Sequence, residues 1–180
     1  MKLLRLLSLL SVLAGPLWAV DVSPAAQARI DAKIVEIKAW AASPAIVDAV
    51  VAHNAAAPAD HLAMTQPKWK SLSEDDAFVL GFTTNPAGLW LKLKQTAWVS
   101  EAFVSDAQGL KVAFLAKPTH WSHAGYPKHD QPMQGKVWQG AVELDESTGV
   151  EQVQIAVPVL APDKKPIGSL VVGIRVEKLK

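Results

Sequence analysis

The sequence predicts an α+β fold, a five-stranded antiparallel sheet with a long N-terminal helix packed on one face. Three observations predict it. Apolar runs that alternate with period two cover 136–145, 150–159 and 167–176, separated by turn-forming residues, which is the pattern of an antiparallel meander. A further alternating pair flanks Asp106-Ala107-Gln108-Gly109, where the glycine supplies the positive backbone angle that a tight hairpin needs. Apolar residues also recur at helical spacing from Ile30 to Trp40, giving a helix one buried stripe.

The N-terminus reads as an export signal over 1–19. Lys2 and Arg5 supply positive charge, Leu6 to Ala14 an apolar core, Pro16 a break, and Leu17-Trp18-Ala19 a cleavage site before Val20. The charge-free run from Leu6 to Val20 is interrupted by Ser8, Ser11, Gly15 and Pro16 and falls short of the roughly 20 residues that span a bilayer. The expected product is a single periplasmic domain over 20–180, with no output module after its last strand.

Of 18 basic and 17 acidic residues, the signal carries two basic ones, so the expected mature chain is close to neutral. With no Lys/Arg cluster, this composition excludes an electrostatic footprint for nucleic acid. The absence of cysteine leaves stability to packing rather than disulfides. Seven tryptophans against one tyrosine point to a tryptophan-rich core or to aromatic cavity walls.

In chain order, Ser23 caps and Pro24 opens the first helix, with Ile30, Ile34, Ile37 and Trp40 inward. Ser43-Pro44 repeats the signal for a shorter helix through Ile46, Val47, Val50 and Val51 to Asn54. Residues 55–59 read as loop, and His53 and His61, in or beside that helix and loop, as surface residues. Short helical segments are expected within 67–73 and 74–82, and another from Asn85-Pro86 to Lys94. Two strands follow, one from Trp98 to Val104 and one from Leu110 to Ala116.

The connection from Lys117 to Gly135 holds three prolines, three histidines, Trp121 and Tyr126. A connection this long in a compact domain is usually functional. Trp121, Tyr126 and Trp138 are candidate aromatic walls of a small-molecule site, and His123, His129, Asp130 and Lys136 are candidate polar groups within it. Lysine with histidine suits an organic anion, since ammonium supplies charge and imidazole a directional hydrogen bond. Structural roles stand beside these: core for Trp138, a turn for Asp130, solvent for Lys136. His120, His123 and His129 form an alternative set for a transition metal. No nucleophile with a positioned base, zinc-protease helix or phosphate-cradling loop is present, so no enzyme is expected and no cofactor is implied.

Several stretches together resemble the extracytoplasmic Cache sensor domains, which are PAS-like. They are the long first helix, the Ser-Pro-started helix ending in Asn54, Ser100-Glu101-Ala102-Phe103-Val104-Ser105-Asp106-Ala107-Gln108-Gly109 with Leu110 to Ala113, Asp145-Glu146-Ser147, Val153 to Val159, and Pro166 to Gly173. The resemblance covers most of 25–178. It implies a sheet backed by the N-terminal helix, a ligand cavity on the opposite face roofed by the connection after the second strand, and pairing of two copies through the first helix. It further implies a sensor role, here by presenting ligand state to a membrane signalling partner; a ligand-free protein-interaction module is the alternative. Many members carry an acidic, aromatic roof motif where this chain has Thr119-His120-Trp121-Ser122-His123.

Overall fold

A computed structural model describes residues 22–145 and 150–179; the expected export signal over 1–19 and the turn expected from Asp145-Glu146-Ser147-Thr148-Gly149 lie wholly or mostly outside the described residues. Helix α1 (Pro24–Ala41) starts where expected, the Ser23 hydroxyl accepting from Ala26 N at 3.2 Å with Pro24 in the first turn. Helix α2 (Pro44–Ala55) follows after a short corner. Then come α3 (Ala59–Leu62), α4 (Gln66–Ser71), α5 (Ala77–Thr84) and α6 (Pro86–Lys94). Thr65, Asp76 and Asn85 cap the last three through their side chains, satisfying amides that have no partner within the helix. Residues 55–59 are therefore not all loop, since a helical turn forms at Ala59.

The five strands are β1 (Val99–Asp106), β2 (Lys111–Phe114), β3 (Trp138–Asp145), β4 (Val150–Leu160) and β5 (Pro166–Arg175). They form one sheet in the order β2-β1-β5-β4-β3, all neighbours antiparallel. The meander β3-β4-β5 is as the alternation predicts, and β5 becomes central by pairing with β1 from Val99↔Ile174 to Asp106↔Gly168. The α+β architecture is thus the one the sequence predicts. The connection after β2 differs in one respect: it contains helix α7 (Pro127–Met133), which Pro127 opens while Tyr126 O accepts from His129 N and Asp130 N.

Alternation gives the sheet two unlike faces. On one, Ala102, Val104, Val153, Ile155, Val157, Leu170, Val172 and Ile174 bury against Ile30, Ile37 and Trp40 of α1 and Ile46 and Val50 of α2. Ile34, the fourth member of the predicted stripe, is half-buried against the same cluster. On the other, Phe103, Ala156 and Val171 join Trp69, Val79, Phe82, Phe114 and Trp121 in a second apolar cluster. The tryptophans serve packing: Trp40 stacks on Trp98 at 5.4 Å and meets Trp90 edge-on at 6.3 Å, while Trp69 and Trp121 lie 5.2 Å apart in the second cluster.

The β1–β2 hairpin is held by one carboxylate. Asp106 Oδ1 accepts from Gln108 N at 2.9 Å and Leu110 N at 2.8 Å, and Gly109 takes φ +80°. Gly109 O also accepts from His123 N at 2.9 Å, and a Cβ at 109 would lie 2.4 Å from Ala124 N. The hairpin tip is thereby the seat of the following connection. Gly109→Ala is expected to lower unfolding free energy by about 1–3 kcal/mol through backbone strain alone, and to shift the amide resonances of His123 and Ala124. Urea denaturation with two-dimensional NMR checks this; a fully stable variant with unmoved resonances would show that the seat is not required.

Candidate functional site

The second sheet face carries polar residues where a buried strand would ordinarily be apolar: Glu101 and Ser105 on β1, Lys111 on β2, Gln152 and Gln154 on β4, and Ser169 on β5. Burial of such groups is costly unless each is hydrogen-bonded, and here they are joined. Glu101 Oε1 accepts from Gln152 Nε2 at 2.9 Å and from Gln154 Nε2. Gln152 Oε1 accepts from Ser100 Oγ, and Gln154 Oε1 from the Lys128 ammonium on α7. Gly173 on β5 makes room for this network, since a Cβ there would stand 2.3 Å from both Gln152 Oε1 and Ser100 Oγ.

Above this floor lies a cavity of about 360 Å³. The floor contributes Ser100, Glu101, Phe103, Gln152 and Gln154; the roof contributes Lys117, Thr119, His120, His123 and Lys128; Glu143 stands at the side. Lys111 sits behind the wall, fully buried. Its Nζ donates to Ser105 Oγ at 3.3 Å and to His123 Nδ1, and lies 4.7 Å from the Phe103 ring centroid. Neither hydrogen-bond partner carries negative charge. Burial therefore pushes the Lys111 ammonium well below the usual lysine range, and the Lys128 charge adds to the effect.

Lys111 also sets the state of His123. An ammonium at Lys111 can only donate, so while it is charged the neutral His123 ring accepts at Nδ1, keeps its proton on Nε2 and presents an N–H donor. The ring stacks on Phe103 at 4.7 Å and 15°. Burial first, and then the charge of Lys111, hold its pKa down to about 2. Burial likewise lowers His120, aided by Lys128.

The seven predicted ligand-binding residues are distributed unevenly. His123 lines the polar cavity. Trp121 is 3% exposed within the second apolar cluster, its indole N–H buried without a hydrogen-bond partner. It shares a smaller recess with Tyr126, whose half-exposed ring sits 5.2 Å from His120 and 5.4 Å from His123. His129 is buried under the roof, its Nδ1 2.9 Å from Ser169 Oγ. Asp130 accepts from Gly125 N at 3.1 Å, closing the turn into α7. Lys136 is exposed and donates to Gln134 at 3.1 Å. Trp138 is half-buried beside the second cluster, its ring over Gly140.

The alternative metal set does not assemble: His123 Nδ1 is engaged by Lys111 and His129 Nδ1 by Ser169. Among the described residues no group of three or more His, Asp or Glu converges on a metal position. His53 is not a surface residue as expected but is buried, with Nδ1 2.9 Å from Asp106 Oδ2 and Nε2 2.8 Å from His61 Nδ1. The last turn of α2 faces the hairpin, where the buried Asp106 carboxylate supplies a partner. Lys111, Lys128 and the two glutamines escape sequence reasoning, although polar residues at Gln152 and Gln154 in an otherwise apolar strand were a readable signal.

No family model matches the chain, and no curated protein matches it. Among solved structures, it is similar to the ligand-binding domain of the Pseudomonas aeruginosa PAO1 amino acid chemoreceptor PctC in complex with GABA, with 13% identity, a TM-score of 0.48, and coverage of 86% of this chain and 58% of that one. It is similar to the E. coli DcuS sensor domain with 12% identity and a TM-score of 0.46, over 87% of this chain and 96% of that one. The V. cholerae histidine kinase DctB sensor domain matches with 16% identity and a TM-score of 0.42, over 85% and 58% of the two chains. The chain therefore spans less than two thirds of the PctC and DctB domains. At these identities and TM-scores the likeness transfers no ligand and no partner.

A histidine kept neutral in the fold but free to protonate near pH 6.5 when unfolded weakens folding as pH falls. The His123 contribution is complete above pH 6.5 and is lost below it at about 1.4 kcal/mol per pH unit, down toward its folded value of about 2. Replacing Lys111 by Met is expected to raise the His123 pKa while leaving it below 6.5, because burial is the larger cause and persists. Carbon-13 NMR titration of the histidines checks the direction; an unchanged His123 would refute the role given to Lys111.

Proposed function

We propose that this chain is an exported, periplasmic sensor domain that holds a small organic anion between the polar face of the sheet and the roof formed by 117–135. The observation that carries the reading is the roofed cavity itself, with Lys117, Thr119, His123 and Lys128 lining it from the roof. Its volume of about 360 Å³ falls in the usual range for small-molecule sites, about 300–1,000 Å³. Lys128 supplies charge and His123 a fixed N–H, and Thr119 offers a hydroxyl at the roof. Glu101, on the floor, already accepts from two glutamine amides. A carboxylate entering here would meet a positive roof reinforced from behind by Lys111, whose depressed basicity it would restore.

Export and periplasmic location rest on the leader-like segment at 1–19. No described helix is long and apolar enough to cross a membrane. Ligand state would reach a membrane signalling partner through the roof, because a ligand shifts an equilibrium only by contacts that differ between its two states. Pairing of two copies through α1 belongs to the same proposal, and no catalytic step is part of it.

The test is thermal denaturation against a panel of mono- and dicarboxylates, amino acids and inorganic phosphate. At a hundred times its Kd, a ligand adds about 2.7 kcal/mol, roughly 5–10 °C in Tm for a domain of this size. Lys128→Ala is expected to weaken binding about ten- to a hundredfold, the range for a charged hydrogen bond. A panel without a single stabiliser, or a shift that survives Lys128→Ala together with His123→Ala, would overturn the proposal.

A further inference from the structure

Asp106, His53 and His61 form a continuous chain of hydrogen-bonded side chains on the opposite side of the hairpin from the cavity. Asp106 and His53 are buried and His61 is half-buried. The distances, 2.9 Å from Asp106 to His53 and 2.8 Å from His53 to His61, fix the protons. His53 donates from Nδ1 to the carboxylate, so its Nε2 is an acceptor and His61 must donate from Nδ1. That leaves Nε2 as the one site on His61 able to take a proton from solvent.

The three groups belong to different elements: β1, α2 and α3. His61 also packs into the second apolar cluster. Its ring lies 4.8 Å from Phe82, 5.3 Å from Phe78 and 5.7 Å from Trp121 of the roof. The ionisable groups facing it are His53 from α2, Asp106 from the end of β1 and Asp60 on α3 itself; Asp48 of α2 lines the same cleft. From α5 and the roof it meets uncharged rings. An added proton, on His61 Nε2, leaves the chain of hydrogen bonds intact but puts charge on a half-buried ring, which is better hydrated once Trp121 moves off it.

We propose that the Asp106–His53–His61 chain is an acid-sensitive latch on the roof: neutral, it ties α3 to α2 and the hairpin and seats Trp121; protonated at His61, it loosens the roof segment from 119 to 126. The coupling runs through two contacts already described. Trp121 shares the roof with His123, two residues on, and Asp106 holds the hairpin on which His123 rests. Burial and the neighbouring His53 lower the pKa of His61, while Asp60 and Asp106 oppose this, so the neutral, latched form prevails at neutral pH and release comes on acidification. The latch does not rest on the ligand proposed above, and operates with the cavity empty.

The test follows the His61 ring carbon and the Trp121 indole N–H by NMR between pH 8 and 5, in the intact protein without ligand. The two signals are expected to titrate with a common midpoint. Protection factors for amides 119–126, corrected for intrinsic exchange, are expected to fall by up to tenfold per pH unit from about pH 6.5 down to that midpoint and to level off below it. His61→Gln, which keeps a side-chain donor, should hold those factors within about twofold across the range, and His53→Gln should move the His61 midpoint. If either variant fails to fold, the wild-type comparison decides alone. Midpoints that differ, or an equal loss of protection in His61→Gln, would overturn the latch.

Discussion

The sheet must bury both of its faces, and only one of them is wholly hydrocarbon. Under α1 and α2 the requirement is met by aliphatic side chains in contact, a non-directional interaction that tolerates detail. On the opposite face, Glu101, Lys111, Gln152, Gln154 and Ser169 leave water with their hydrogen-bonding capacity intact. Such groups stabilise the native state only when each finds a partner in good geometry. The roof supplies several of those partners: His123 for Lys111, Lys128 for Gln154 and His129 for Ser169. Folding of the connection and satisfaction of the sheet are therefore one event.

This constraint explains why the roof is ordered although much of it is irregular. It is anchored at four points: Gly109 O holds His123 N, Gln66 bonds Trp121 N at 2.8 Å and Thr119 O at 2.9 Å, Pro118 O accepts from the Trp69 indole at 2.7 Å, and Ser169 meets His129. Between these anchors the chain arches over the floor, whose glutamines are already engaged by Glu101, by Ser100 and, from the roof itself, by Lys128. The space left over is the polar cavity. Its roof is basic through Lys117 and Lys128, with Glu101 on the floor and Glu143 at the side.

Asp106 links this half of the molecule to the other. One oxygen organises the hairpin that seats the roof; the other fixes His53 and, through it, His61. Asn54 reinforces the link, bonding Ala107 N at 2.9 Å and Ile167 O at 2.7 Å. Helix α2 is thus bonded to the hairpin and to the start of β5 by polar contacts, in addition to its apolar face. A change on either side of the hairpin is felt on the other through short bonds rather than through the hydrocarbon core.

The fold class, the five strands, the meander, the hairpin at Gly109 and the first two helices were legible in the sequence. Each is written in local chemistry: period-two or helical alternation, a cap followed by proline, a glycine where φ is positive. That 117–135 is packed rather than merely solvated was legible too, from its length and aromatic content. What only the tertiary structure decided is which polar side chains meet. Lys111 and His123 are twelve residues apart and Lys128 and Gln154 twenty-six, while His53 and Asp106 are separated by fifty-three. Their pairing depends on strand order and on the rotation of helix ends, neither of which leaves a periodic trace. Trp121 and Lys136 illustrate the other side of the same limit: one enters an apolar cluster and the other faces solvent, because burial is set by what arrives opposite a residue and not by its type.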